Sequence, residues 1–144
     1  MNPASPVKSI IFVDDEKSYT DLIKQMLVEN LDCPVHGFTK PLEALQALPS
    51  LNAGVIVTDY FMPEMNGIEF IQRAAPLAPS ATFVMISGNN LSSEQHRMDK
   101  LEPLKAFLAK PFGWKKLADE ILRVWPPDAP PPAKRPTTYS RPPM

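Results

Sequence analysis

The sequence has very little cysteine and no long apolar run. Cys33 is the only cysteine among 144 residues, so an internal disulfide is excluded. No apolar stretch approaches the roughly 20 residues that a membrane-spanning helix needs, and residues 1–8 lack the basic-then-apolar layout of a signal peptide. An excess of charge is also missing, since 15 Lys and Arg face 16 Asp and Glu. This balance argues against a general binder of nucleic acids or membrane surfaces. We therefore expect a cytoplasmic protein without a membrane segment.

Length and composition fit one globular domain, because 44% of the 144 residues are hydrophobic. A chain of this size buries roughly two-thirds of its surface on folding and needs no structural metal. Proline is abundant instead, with 18 in all, and it is concentrated after Trp125. Residues 126–144 hold few apolar side chains and cannot offset the entropy cost of ordering. We expect a domain at residues 1–125 and a Pro-rich, extended or disordered tail at residues 126–144.

Short apolar runs rich in branched residues alternate with segments of helical period. This alternation is typical of α/β folds built on a parallel sheet. The predicted strands are Ser9–Val13, Val35–Phe38, Val55–Thr58, Phe83–Ile86 and Ala106–Ala109. The continuous apolar character of the first run indicates a central strand covered on both faces, whereas the second run is typical of an edge.

Polar residues at the starts of the helical segments predict where the helices begin. The predicted caps or first residues are Ser18, Thr39, Asn66 and Ser92, and Glu69 makes the third start resemble a capping box. The inward stripe predicted for the first helix consists of Leu22, Ile23, Met26 and Leu27. The fourth helix has few large apolar anchors, so we expect it to be held weakly. The fifth helix spans 114–125 and is stopped by Pro126.

Four of the predicted strands end in residues that carry charge or a hydroxyl group. These residues are Asp14 with Asp15, Asp59, Ser87 and Lys110. The carboxyl ends of parallel strands lie on one edge of a sheet, so these side chains should share one crevice. Three close carboxylates raise one another's pKa unless a divalent cation or the lysine compensates. A site of oxygen donors suits Mg²⁺ or Mn²⁺ rather than zinc, and Mg²⁺ keeps positions for substrate phosphate. The pattern therefore indicates phosphoryl chemistry.

Residues 7–125 resemble the receiver domain of two-component response regulators. Four segments carry the resemblance, and each falls at the end of a predicted strand: 12–16 (FVDDE), 59–67 (DYFMPEMNG), 87–88 (SG) and 110–112 (KPF). The resemblance implies a flavodoxin-like, doubly wound, five-stranded parallel sheet with five flanking helices. It also implies a stand-alone receiver, since the nineteen residues after Trp125 leave no room for a DNA-binding domain.

The resemblance assigns the acidic residues to phosphoryl transfer. Asp59 would be phosphorylated by a histidine kinase, a histidine phosphotransfer protein or a small phosphodonor. Asp15, Asp59 and the main-chain carbonyl of Phe61 would bind Mg²⁺, with Mn²⁺ as a possible substitute. Asp14 would act on the metal largely through a bound water.

The resemblance also implies a switch. Lys110 would pair with the phosphoryl oxygens, Ser87 would donate a hydrogen bond to one of them, and Lys110–Pro111 would be a cis peptide. Phe107 matches the family's switch aromatic, although the residues alone are equally compatible with a fixed core aromatic. The face formed by Ser92–Leu101, Ala106–Ala109 and Trp114–Trp125 would contact a downstream protein.

Two other functions fit the same residues. A phosphatase or phosphotransferase acting on a separate substrate would also use Mg²⁺ and an aspartate nucleophile, but the sequence offers no cap domain for it. An interaction module of the same fold would need no phosphorylation, and the intact acidic set argues against it. We expect a signalling phosphoacceptor rather than an enzyme, one that catalyses only its own phosphoryl transfer and dephosphorylation.

Overall fold

The computed structural model describes residues 7–136, in which five strands alternate with five α-helices. The strands are β1 (Ser9–Val13), β2 (Val35–Phe38), β3 (Ala53–Asp59), β4 (Thr82–Ser87) and β5 (Leu104–Ala109). The helices are α1 (Lys17–Asn30), α2 (Pro41–Ala47), α3 (Gly67–Ala74), α4 (Gln95–Asp99) and α5 (Trp114–Arg123). Within residues 7–136, none of these helices has the length and apolar character needed to cross a membrane.

All five strands are parallel and form one sheet in the order β2-β1-β3-β4-β5. The chain moves outward from β1 to β2, then returns to the other side of β1 and continues through β3, β4 and β5. The winding direction therefore reverses between β1 and β3, and such a reversal opens a crevice at the carboxyl ends of those strands. The predicted fold class is confirmed.

The sheet is covered by helices on both faces, which explains why the sequences of its strands are continuous apolar runs. Side chains alternate between the faces along each strand. Ile10 and Phe12 pack in a core with α1 and α5. Ile11 and Val13 pack in a second core with α2, α3 and α4. All four strand residues are fully buried.

Helix starts were predicted correctly at one of four positions. Asn66 and Glu69 form the expected capping box at α3. The N-cap of α1 is Glu16 rather than Ser18, because the Asp14 carboxylate accepts the Glu16 N–H at 3.0 Å and turns the chain earlier. The N-cap of α2 is Lys40 rather than Thr39.

The fourth and first helices show two more differences. Ser92 opens a short 3-10 turn, Ser92–Glu94, in which its N–H donates to Asn90 at 2.8 Å, and α4 itself has only five residues. In α1 the buried residues are Thr20, Ile23 and Leu27, whereas Leu22 is 56% exposed. The prediction of an inward Leu22 is wrong. The buried residues follow one another at intervals of three and four positions, starting from Thr20, and position 22 lies off this face of the helix.

Residues 126–136, which we call the strap, run along the connection between α1 and β2. The N–H of Asp32 donates to the carbonyl of Ala133 and the N–H of Arg135 donates to that of Asn30, both at 2.8 Å. The Arg135 side chain donates to the Leu31 carbonyl and pairs with Asp32 at 3.2 Å. Backbone bonds to a distant segment therefore hold these residues of the predicted tail in place, and the domain boundary at residue 125 stays a prediction. The rest of the predicted tail, residues 137–144, lies outside the described residues.

Cys33 belongs to the same α1–β2 connection and is buried in the core beneath α1 and α5. The pKa of its thiol is raised to about 11, mainly by burial and also by the Asp32 charge, with an opposing effect of Arg135. Within the described residues it is therefore a structural thiol, protonated at neutral pH.

Candidate functional site

The register of the central strands brings three carboxylates together. Val13 of β1 lies opposite Thr58 of β3, so the next residues, Asp14 just after β1 and Asp59 at the end of β3, lie side by side at the carboxyl edge of the sheet. Asp14 and Asp59 are buried, whereas the neighbouring Asp15 is exposed. Carboxylate oxygens from the three residues lie within 4.8 Å of one another.

Lys110 brings a positive charge to this cluster from the loop that follows β5. Its Nζ donates to Asp14 Oδ2 at 2.9 Å and lies 3.5 Å from Asp59 Oδ2. The Lys110–Pro111 peptide bond is cis. The structure therefore places the three aspartates and the lysine in one crevice at the reversal point of the sheet.

The electrostatics of the crevice raise the pKa of both Asp59 and Lys110. The pKa of Asp59 is raised to about 6, mainly by burial and also by the Asp14 charge, while Lys110 opposes both effects. Burial lowers the pKa of Lys110, but the hydrogen bond and charge of Asp14, together with Asp59, outweigh burial and raise it. The ammonium is thus charged at neutral pH, and an added cation would further favour the ionised form of Asp59.

Ser87 completes the polar edge at the end of β4. Its side chain is fully buried, and its Oγ accepts the N–H of Asn89 at 3.0 Å. Its carbonyl accepts the N–H of Lys110 at 2.8 Å, which ties the lysine's backbone to β4. The hydroxyl proton of Ser87 can therefore be redirected without breaking this backbone link.

The start of α3 fixes the backbone of Asp59. The N–H of Gly67 donates to the Tyr60 carbonyl at 2.7 Å, and Asn66 caps the helix. A Cβ at position 67 would lie 2.8 Å from the main-chain oxygen of Asp59 and would collide with the Met85 sulfur. Glycine therefore permits the close approach of α3 to the strand end that carries Asp59.

Phe107 lies on β5 and is 42% exposed, so it stands outside the buried core in this conformation. Its role as a switch stays a prediction. It borders a groove of about 480 Å³ between α4 and β5. Apolar side chains of the groove include Leu91, Met98, Leu101 and Leu104. The groove provides space beside the weakly anchored helix into which the ring can move.

The donor set fits a divalent cation that prefers oxygen ligands. Ligands around Mg²⁺ lie at about 2.0–2.1 Å, so the three carboxylates need only a small contraction to share one ion. Sulfur and imidazole donors are absent from this cluster of described residues, which disfavours zinc. The Phe61 carbonyl stays a prediction as a ligand; the Phe61 ring is 54% exposed and packs edge-on against Tyr60 at 4.7 Å.

One residue of the site was missed by the sequence analysis. The ring of Tyr19, in the first turn of α1, lies beneath the Lys110 ammonium, with Nζ 4.8 Å from the ring centroid. An aromatic residue four positions after Asp15 was the available signal. That spacing is equally consistent with a ring that packs in the core, so only the tertiary structure reveals the contact with Lys110.

The family model of the response regulator receiver domain matches residues 10–122. The response regulator receiver protein CpdR of Brucella abortus is 28% identical over 118 residues, covering 82% of this chain and 97% of that protein. A protein-glutamate methylesterase/protein-glutamine glutaminase of Agrobacterium fabrum is 32% identical over 84 residues, covering 58% of this chain and 24% of that protein. The chain spans between 23% and 35% of the length of six curated relatives. Five of them are methylesterase/glutaminases, and the sixth is the C4-dicarboxylate transport transcriptional regulatory protein DctD of Rhizobium meliloti.

Solved structures show the same fold. The Vibrio cholerae chemotaxis protein CheY4 superposes with a TM-score of 0.74 at 22% identity, covering 82% of this chain and 98% of that chain. A CheY-like receiver domain protein from Methanospirillum hungatei gives 0.72 at 24% identity, covering 80% and 90%. The family match spans well over half of the sequence and includes all four polar strand ends. The chain therefore belongs to the response regulator receiver domain family.

Proposed function

We propose that this receiver domain takes a phosphoryl group onto Asp59 in a Mg²⁺-dependent reaction and that this modification switches a protein-binding face. The phosphodonor would be a histidine kinase or a histidine phosphotransfer protein. The observation that carries the proposal is the burial of the Asp59 carboxylate beside Asp14 and the Lys110 ammonium, at the edge where a sheet of this winding binds ligands.

The reaction joins Asp59 to phosphorus and releases the donor. An oxygen of Asp59 forms the new O–P bond while the P–N bond of a phosphohistidine breaks, and the departing imidazole keeps the electron pair and takes up a proton. A bound Mg²⁺ would neutralise charge on the transferring group. Lys110 would bind a phosphoryl oxygen, and Ser87 would turn its hydroxyl toward another. The raised pKa of Asp59 would fall as cations gather around it, leaving the ionised nucleophile.

The contacts of the other two aspartates support different roles for them. Asp14 already uses both oxygens, one accepting from the Glu16 N–H and the other from Lys110. This arrangement favours contact with the metal through a water. Asp15 is exposed, and its carboxylate can turn to bind the metal directly together with Asp59.

A change at Asp59 would reach the surface through β4 and β5. Movement of the Ser87 hydroxyl toward the phosphate vacates space beside β5, and Phe107 would then turn inward. Met98 is the buried residue of α4, so this short helix can shift at low cost. The downstream protein would bind the face formed by Ser92–Leu101, Ala106–Ala109 and Trp114–Trp125.

We place the receiver domain at residues 1–125 and regard it as a signalling unit, not an enzyme with its own substrate. The match with CpdR supports this, since it extends over nearly all of a protein named a response regulator receiver protein. Methylesterase activity belongs to relatives of which this chain matches only a part. We also propose a cytoplasmic location, on the basis of family membership.

Incubation with Mg²⁺ and acetyl phosphate tests the proposal, with intact-protein mass spectrometry as the readout. We expect one phosphoryl adduct per chain in the wild type and none in Asp59→Asn. Asp128→Asn is the matched control, because it removes an exposed carboxylate outside the crevice and should retain the adduct.

Each alternative function predicts a different result in the same experiment. Multiple turnover of an added phosphoester, with little adduct, would identify a phosphatase or phosphotransferase. A chain that takes up neither phosphoryl groups nor beryllium fluoride in the presence of Mg²⁺ would be an interaction module of the same fold. Either result would overturn the phosphoacceptor proposal.

A further inference from the structure

Tyr19 occupies the centre of an aromatic cluster that borders the acidic crevice. Its ring centroid lies 5.9 Å from that of Phe12 and 6.4 Å from that of Phe112, in a tilted and an edge-on arrangement. The Lys110 Nζ lies 4.8 Å from the same ring. Tyr19 is half-buried, so its ring combines packing against two aromatics with contact to a cation.

The two aromatic neighbours connect Tyr19 to both charged sides of the crevice. Phe12 precedes Asp14 by two residues on β1, and Phe112 follows Lys110 by two residues in the loop after β5. A ring that contacts both therefore fixes the position of the lysine's loop relative to the strand that carries the acidic pair.

The face of the ring also holds the ammonium without using one of its hydrogen-bond donors. Lysine has a flexible four-carbon stem, and several positions of its ammonium satisfy one carboxylate. The Asp14 and Asp59 oxygens attract the ammonium, while the ring attracts it by its quadrupole and leaves its N–H groups available. A phosphoryl group on Asp59 could then accept one of these N–H groups.

We propose that Tyr19 is a positioning residue that holds the Lys110 ammonium for phosphoryl transfer to Asp59. This inference rests on the proposed function of the site. It assigns to the ring face of Tyr19 a role separate from metal binding, which belongs to the carboxylates. Loss of the ring should therefore slow phosphorylation and leave Mg²⁺ affinity almost unchanged.

The test is a double-mutant cycle between positions 19 and 110, measured as the rate of phosphorylation by acetyl phosphate at saturating Mg²⁺. We expect Tyr19→Leu to slow the reaction about tenfold and Tyr19→Phe to stay within twofold of the wild type. In a Lys110→Met background, Tyr19→Leu should have no further effect on the rate. Equal effects of Tyr19→Leu in both backgrounds would overturn the proposal, because the ring would then act without the lysine.

Replacing the Tyr19 ring by a pentafluorophenyl ring separates positioning from packing. The replacement keeps an aromatic shape but reverses the quadrupole, so we expect slowing close to that of Tyr19→Leu with unchanged urea unfolding. A rate equal to that of Tyr19→Phe would show that the ring only packs. This variant decides the question even where Tyr19→Leu is poorly folded.

A second readout does not depend on phosphorylation. In metal-free protein, the NMR signals of the Lys110 Cε protons should be shifted upfield by the Tyr19 ring and return to ordinary values in Tyr19→Leu. Ordinary shifts in the wild type would overturn the proposal. If the wild type takes up no phosphoryl group, the proposed function fails, and these shifts still establish or refute the contact.

Discussion

Lys110 and Asp14 are 96 positions apart in the chain, yet the lysine donates to the aspartate at 2.9 Å, closer than its 3.5 Å approach to Asp59. In this conformation the ammonium binds more closely to Asp14, which is not the expected phosphoacceptor, than to Asp59. Asp14 therefore faces two competing cations, the lysine and any metal that enters the crevice.

Removing the ammonium should strengthen metal binding while it weakens phosphorylation. In Lys110→Met we expect Mg²⁺ to bind roughly tenfold more tightly, a gain of about 1.4 kcal/mol, because the carboxylates lose their competing partner. Phosphorylation by acetyl phosphate should slow at least tenfold, since a cation for the phosphoryl oxygens is lost. Isothermal titration calorimetry and the adduct assay measure the two effects.

Lys105→Met is the matched control for this experiment, because Lys105 is exposed on β5 outside the crevice. It should leave both quantities near the wild-type values. Weaker Mg²⁺ binding in Lys110→Met would contradict the competition between the two cations.

Asp59 should make metal-free stability depend on pH. Its pKa is raised to about 6 in the fold, against about 3.9 in an unfolded chain. The folded state therefore holds the extra proton between these values, and the free energy of unfolding falls as pH rises through that window. Asp59→Asn removes this dependence. We expect the variant to gain about 2 kcal/mol on the wild type between pH 4 and pH 7.5, measured by urea unfolding in EDTA.

Asp128→Asn serves as the reference in the same titration, because its carboxylate is exposed. Its stability relative to the wild type should stay constant with pH. A constant difference for Asp59→Asn as well would show that the fold does not raise the pKa of Asp59.

Gly67 should be intolerant of even one added methyl group. In Gly67→Ala the new Cβ would press on the main-chain oxygen of Asp59, so α3 or the strand end must shift. We expect a loss of about 1–3 kcal/mol in the free energy of unfolding and slower phosphorylation. At Gly113, the N-cap of α5, an added Cβ meets no atom of the described chain within 4 Å. Gly113→Ala should therefore lose only the difference between glycine and alanine as an N-cap, about 1 kcal/mol or less. Equal losses in the two variants would refute the steric argument.

The strap should protect the α1–β2 connection from hydrogen exchange. The Asp32 N–H donates to Ala133, and Arg135 pins the strap through Leu31 and Asp32. We expect Arg135→Ala to speed exchange of the Asp32 amide several-fold and to lower stability by about 0.5–1.5 kcal/mol. Lys134→Ala, which changes an exposed neighbour, should leave exchange at Asp32 unaltered. Similar exchange in both variants would show that Arg135 does not hold the strap.

The strands and their polar ends were predictable because the relevant signals are local. Buried parallel strands require continuous apolar runs, and Asp14, Asp59 and Lys110 mark where those runs stop. The α3 start was also predictable, because Asn66 and Glu69 satisfy each other's backbone within one turn. Topology then brings distant strand ends to one edge.

The features missed by the sequence analysis depend on contacts between distant segments. Ser18 is a better cap residue by type than Glu16, yet the helix begins earlier because the Asp14 carboxylate accepts the Glu16 N–H. The composition of the strap predicts disorder, but its order comes from backbone bonds to the α1–β2 connection. The Tyr19 ring contacts Lys110 only because α1 packs beside the loop after β5.

The burial of Cys33 has a practical consequence for following the switch. A thiol with a pKa of about 11 and little surface reacts slowly with maleimides at neutral pH. A cysteine introduced at an exposed position of α4, such as Gln95→Cys, would then carry a fluorophore alone, with the native thiol left in place. Movement of α4 can thus be followed by fluorescence without first replacing the native cysteine.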